Sequence, residues 1–192
     1  MILEGMVTTI SPAGAVNIAP MGPHVDESMQ RLLLRPFPTS QTYRNLRLHG
    51  EGVLHVTDDV LLLARAAIGL VQPLPDLMPA TKVKGHVLRD TCRYYEFRVL
   101  AIDDREERAR IEVEVIYAGR LRDFFGFNRA KHAVVEAAIL ATRTSVLPLE
   151  DIEAEFRKLR VIVEKTGGER EKQAFAILAE HVDFCCKASG KR

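Results

Sequence analysis

Arg35, Thr39, Ser40 and Thr42 bring a guanidinium and three hydroxyls to the point where an apolar run ends and a helical pattern starts. Hydroxyl side chains at a helix start cap its free N–H groups. The same N–H groups, helped by the helix dipole, form a seat for a phosphate, and Arg35 just upstream can supply charge. Capping and phosphate binding use the same residue types, so this stretch by itself leaves both readings open. The rest of the chain offers little other chemistry. It holds no His-Glu-x-x-His, Cys-x-x-Cys, Gly-x-Ser-x-Gly or Gly-x-Gly-x-x-Gly pattern. His24, His49, His55, His86, His132 and His181 are scattered with no i, i+4 pair, and of these His24 and His55 are held as candidates because both flank the proposed site.

The elements that must position these residues follow from periodicity. Residues 1–10 and 15–20 read as strands joined by the turn signal Ser11-Pro12-Ala13-Gly14. Residues 22–30 read as a loop, and 31–35 as a strand halted by Pro36 and Pro38. A helix over 42–49 stopped by Gly50 precedes a strand over 51–57. Asp58 is placed to cap an apolar helix over 60–68, and the prolines at 73, 75 and 79 make 71–80 an irregular loop. Alternation over 91–102 and 110–117 predicts two antiparallel strands joined at Asp103-Asp104.

Beyond Arg120 the period changes from two to 3.6. The run Phe124-Phe125-Gly126-Phe127 reads as packing at a domain junction, since aromatic burial is the larger energetic term. Asn128 then caps a helix to about Thr144. Two apolar stripes, Ile152, Phe156, Leu159, Val163 and Phe175, Leu178, Val182, Cys185, are separated by Thr166-Gly167-Gly168, which predicts a helical hairpin. The class is α+β, with residues 1–122 as a strand-rich domain and 123–192 as a helical subdomain.

Asn17-Ile18-Ala19-Pro20 on one strand, the Arg-Pro step, Thr42-Tyr43-Arg44-Asn45-Leu46 at a helix start and Gly52-Val53-Leu54-His55-Val56 resemble the flavin-reductase-like split barrels. This chain departs at the last element, carrying Leu54-His55-Val56 where those reductases often place Val-Val-Asn. The opening Ile2-Leu3-Glu4-Gly5 with Thr8-Thr9, the Asn-Ile-Ala-Pro-Met-Gly run, the Arg-Pro-Phe segment, Phe127-Asn128-Arg129-Ala130 and the helix that follows extend the likeness over nearly the whole chain. On these residues it is identified as a member of the domain-of-unknown-function 447 family. The resemblance implies an FMN-binding split β-barrel followed by a C-terminal helical subdomain, a homodimer with the cofactor near its interface, and a reaction not yet assigned.

The resemblance also distributes roles. Asn17, Ile18 and Ala19 fall to the ring edge, mostly through backbone groups. Arg35, Thr39, Ser40 and Thr42 fall to the phosphate, with Asn45 bracing the loop. Asn128 and Arg129 match the family's second motif, either reaching the cofactor or capping a helix. An FMN-dependent oxidoreductase acting on a small partner of pterin or nicotinamide type is the leading expectation. A flavin carrier or sensor without turnover is the alternative, as is a split barrel holding another phosphorylated ligand such as deazaflavin or pyridoxal phosphate.

Composition narrows the classes further. Of 192 residues, 47% are hydrophobic and 28% charged, with Lys and Arg (27) balancing Asp and Glu (26) for a net charge of +1. A nucleic-acid partner is not expected from so even a balance. No apolar run approaches the roughly 20 residues a membrane helix needs, and no leader pattern opens the chain. Cys92, Cys185 and Cys186 form neither an even disulfide framework nor a metal-ligand spacing. A cytoplasmic protein without a metal is the expectation. Lys187, Lys191 and Arg192 read as a solvated tail.

Overall fold

The turn at Ser11 sets up the first hairpin. Ser11 N–H donates to Ala15 O at 2.9 Å, Ala15 N–H donates back to Ser11 Oγ at 3.1 Å, and Gly14 adopts φ 82°, a left-handed conformation that glycine supplies without strain. β1 (Gly5–Ile10) and β2 (Val16–Met21) therefore pair antiparallel, with Thr9 opposite Asn17. The computed structural model describes residues 1–189, so Lys191 and Arg192 lie outside the described residues. These fall into two units, Met1–Thr57 with Pro73–Phe124, and Asp58–Gln72 with the residues from Phe125 on.

In the first unit β3 (His24–Val25), β4 (Arg31–Leu34), β5 (Glu51–Val56), β8 (Arg93–Asp103) and β9 (Arg110–Arg120) join the hairpin in an antiparallel sheet of order β2-β1-β5-β8-β9-β4-β3. The sheet curls until its β3 edge meets the segment before β1. Ile2 bridges His24, Leu3 N–H donates to Pro23 O at 3.1 Å, and Val25 N–H donates to Met1 O at 2.8 Å. β1, β5, β8, β9, β4 and β3 thus form a ring, while β2 stays outside it as an edge strand. Val7, Leu32, Leu34, Leu54, Phe97 and Ile111 fill the ring. Helix α1 (Gln41–His49) adds Tyr43 and Leu46 to the same core. Gly50 at φ 65° ends α1 and donates its N–H to Leu46 O at 2.9 Å.

β8 and β9 leave room for a ring only at a glycine. A Cβ on Gly119 would lie 2.3 Å from the Tyr94 ring carbons, and the two residues are register partners. Gly119→Ala is expected to cost about 1–3 kcal/mol by overpacking. Urea unfolding with an unchanged midpoint would contradict this close approach.

Three local expectations are corrected. His24–Val25 is a strand and not loop, because it pairs with Leu32–Leu33 and takes the ring-closing bonds. The proline-rich loop ends in a strand, β6 (Leu77–Pro79), which pairs with β7 (His86–Leu88) as a separate ribbon. Pro79 fits there because an isolated ribbon has edges that need no donor. Asp59 caps the next helix in place of Asp58, its Oδ1 accepting from Leu61 and Leu62 N–H, both at 3.1 Å.

The second unit holds that helix, α2 (Val60–Ala67), with α3 (Arg129–Ala141), α4 (Leu149–Thr166) and α5 (Glu169–Ser189). α2 packs on α3 and α5, so the buried Val60, Leu61, Leu63 and Ala64 serve the helical core. Asp58 is used within this unit: its Oδ2 accepts Phe125 N–H at 2.9 Å and its carbonyl accepts Lys131 Nζ at 2.7 Å. Lys131 also pairs with Glu171 at 3.0 Å. The aromatic run does not pack as expected. Phe125 is 80% and Phe127 93% exposed, with Lys131 Nζ 5.9 Å from the Phe125 ring centroid and Phe127 edge-on to His132.

Candidate functional site

The start of α1 leaves backbone donors without helical acceptors. Ser40 holds extended backbone and its Oγ accepts Tyr43 N–H at 3.2 Å, while Ser40 N–H donates to Phe37 O at 2.9 Å. The N–H groups of Gln41 and Thr42 lie in the first turn, where no helical carbonyl can meet them. No acidic residue occupies that turn. The dipole's positive end is therefore not offset by a neighbouring carboxylate of the helix. Ser40 keeps its own hydroxyl proton to donate, and Thr39 is exposed beside it.

A polar network pins α1 to the hairpin. Thr9 Oγ1 accepts from Asn45 Nδ2 at 2.9 Å and Asn17 Nδ2 at 3.4 Å. Asn17 Nδ2 also donates to Thr42 Oγ1 at 3.0 Å, and Gln41 Nε2 donates to Asn45 Oδ1 at 2.7 Å. Thr9, Thr42 and Asn45 are buried, so each bond replaces water that the groups have lost. The structure thus brings Asn17, Thr42 and Asn45 together through Thr9, a hub to which the sequence reading gave no role at the site. The signal available was a pair of threonines, Thr8-Thr9, inside an otherwise apolar strand.

The other candidates are placed as follows. Ile18 is buried and Ala19 half-buried on β2, whose second backbone edge faces no strand among the described residues. Arg35 donates from Nη2 to Glu106 Oε2 at 2.9 Å, but its Nε is buried with no partner. Asn128 is used at both ends of its amide, Oδ1 capping Lys131 N–H and Nδ2 donating to Thr166 O, each at 3.1 Å. Arg129 is exposed at the start of α3. Both belong to the helical unit and not to the one that carries α1.

His24 is exposed on β3. His55 is fully buried, its Nδ1 3.2 Å from Met6 O and its Nε2 accepting Leu88 N–H at 3.1 Å. Burial pushes its pKa down to about 4, and both ring nitrogens are satisfied in the neutral form. In the first turn of α1, Tyr43 Oη donates to Asp104 Oδ2 at 2.5 Å, a bond that raises the phenol pKa. Among the described residues no group of three His, Cys, Asp or Glu could hold a metal.

Comparison with known proteins gives the family. Residues 3–122 match the N-terminal domain of DUF447, a protein of unknown function, and residues 128–180 match its C-terminal part. The chain belongs to the DUF447 family. The DUF447 chain is similar to an FMN-bound member from Methanosarcina mazei, at TM-score 0.80 and 23% identity over 94% of each chain. It also shares its fold with the 2-nitrobenzoate 2-nitroreductase of Pseudomonas fluorescens, at TM-score 0.53 and 17% identity over 61% of this chain and 64% of that one. An FMN-binding protein from Thermus thermophilus matches at TM-score 0.51 and 11% identity, over 62% and 70%. No curated protein matches. The DUF447 chain is thus an α+β split barrel with added helices, and no described helix is long and apolar enough to cross a membrane.

Proposed function

We propose that this chain binds FMN along β2 and the start of α1 and works as an oxidoreductase on a small substrate. The carrying observation is the start of α1: first-turn N–H groups without acceptors, no acidic neighbour, and a buried guanidinium nitrogen without a partner just upstream. These features suit a dianionic phosphate. The N–H groups of Gln41 and Thr42, with Thr39 Oγ1, the Ser40 hydroxyl proton and Arg35, hold that phosphate. Asn17 Nδ2 is engaged by Thr9 and Thr42, which fixes the amide and leaves Oδ1 to accept from the ring. The open edge of β2 at Ile18 and Ala19 offers backbone groups to the same ring. Bound FMN supplies hydride acceptance and donation at its N5, so few catalytic side chains are needed. The homodimer is part of this reading, since an edge strand that carries a cofactor is naturally covered by a second copy.

The decisive experiment is the visible spectrum of the purified protein with FMN titrated in. Arg35→Ala is expected to weaken FMN about 10- to 150-fold, from the roughly 1.5–3 kcal/mol of a hydrogen bond to a charged group. Unchanged affinity places the phosphate elsewhere, and no FMN uptake by the parent chain removes the proposal. Oxidation of a reduced nicotinamide no faster than with free FMN would leave a carrier instead of a reductase.

A further inference from the structure

We propose that the open end of the strand ring, away from α1, is a second binding site for a small organic anion with one charged head on an aromatic or branched apolar body. Register places the residues. Leu54 pairs with Tyr95 and Tyr95 with Ala118 in a row that faces the ring's core. Two residues along each strand, on the same face, the next row is Val56, Arg93 and Arg120. The inward face of the sheet therefore ends in two arginines directly opposite one another. Like charges in that relation destabilise a sheet unless something answers them.

The protein answers only part of this charge. Arg120 pairs with Asp123, and Arg122 pairs with Asp90 at 2.6 Å while donating to Cys92 Sγ at 3.1 Å. Arg93 has no side-chain hydrogen bond or ion pair among the described residues. These arginines border a cavity of about 530 Å³ that is also walled by Leu3, Met29, Val56, Tyr95 and Phe124, with Cys92 and the carboxylate of Asp123, which Arg120 engages, on its lining. Its volume lies within the about 300–1,000 Å³ typical of small-molecule sites. Apolar walls take the body of a ligand and Arg93 takes its head, a carboxylate, sulfonate or phosphate. The cavity is distinct from the proposed FMN site. Thr9, which anchors α1, lies at the far end of β1 from Met6 and its partner His55, roughly 10 Å along the strand. Tyr43 and Leu46 of α1 meet Leu54 in the core that closes the ring beyond Tyr95.

The test uses the full chain and 8-anilinonaphthalene-1-sulfonate, an aromatic body with one sulfonate, followed by fluorescence with and without saturating FMN. One saturable site is expected, unaffected by FMN. Arg93→Glu should weaken it about tenfold or more, Arg93→Lys should keep it within about threefold, and Val56→Trp should abolish it by filling the cavity. Arg93 is exposed, so the first two variants keep their fold, which circular dichroism verifies. Equal affinity in Arg93→Glu and the parent chain would mean the dye reads another apolar surface, such as Phe125 and Phe127, and the proposal falls. No binding by the parent chain also overturns it. Displacement by FMN would merge the two sites and overturn their separateness. FMN failing to bind while the dye follows Arg93 leaves this inference intact and removes only the flavin reading.

Discussion

Glu96→Ala is expected to lower the stability of the strand-rich unit by about 2–4 kcal/mol, since the buried Val83 N–H loses its acceptor outright and the half-buried Thr81 and Lys82 N–H groups recover part of theirs from water. Glu96 is fully buried, and its carboxylate accepts N–H groups from Thr81 at 2.7 Å, Lys82 at 2.5 Å and Val83 at 3.1 Å. The side chain replaces a strand partner for a loop that otherwise has none. Val83 packs with Val53, Val87 and Tyr94 in an apolar cluster, which holds this loop on the sheet. Glu96→Gln keeps one acceptor oxygen and the side-chain volume, and should cost less than half as much. Urea unfolding followed by circular dichroism measures both. A loss under about 1 kcal/mol for the alanine variant would show that the loop finds other acceptors.

Stability should also fall as the medium is acidified through a window set by His55. The folded pKa of about 4 lies below the ordinary 6.5 because burial disfavours the imidazolium. Between these values the unfolded chain binds more protons, so stability is fully present above 6.5 and is lost as pH falls towards 4. The full loss is about 3 kcal/mol, of which about 2 is reached between pH 7 and pH 5. The cause is specific: protonating Nε2 breaks its bond from Leu88 N–H and charges a site among β1, β5 and β7. Denaturant midpoints at pH 7 and pH 5 give the measurement. His55→Gln retains a donor and an acceptor but does not titrate, and should show little of the drop. An equal drop in that variant would assign the effect to other groups.

The features legible in the sequence were those fixed by local chemistry. Ser11 to Gly14 made a turn, Gly50 stopped α1, Asn128 capped α3, and alternation marked β8 and β9, because each depends on residues within one turn or one strand. What escaped depends on distant partners. The two residues of β3 show no alternation to read, and become strand only because Leu32–Leu33 and Ile2 are brought to them. The shift of the α2 cap to Asp59 leaves Asp58 to the Phe125 N–H and Lys131, far along the chain. Within the candidate site the helix start was legible as a capping or phosphate pattern. Thr9 was not, since its role comes from the register that sets it against Asn17 and from α1 packing above it. The exposure of Phe125 and Phe127 was missed because burial energy alone favours packing, whereas the turn at Gly126, φ 112°, presents both rings outward.

The helical unit is assembled from two stretches, Asp58–Gln72 and the chain from Phe125 on, so the backbone passes between the units at 57–58, 72–73 and 124–125. It cannot be separated by a single cut. A chain ended after residue 122 would keep α2 but lose α3 and α5, leaving Val60, Leu61, Leu63 and Ala64 open to water on a segment tied at both ends to the strand ring. Fragments of this protein are therefore expected to stick to one another through that face. Any gain, loss or exchange of the C-terminal helices would have to be matched by changes in a helix encoded in the middle of the barrel.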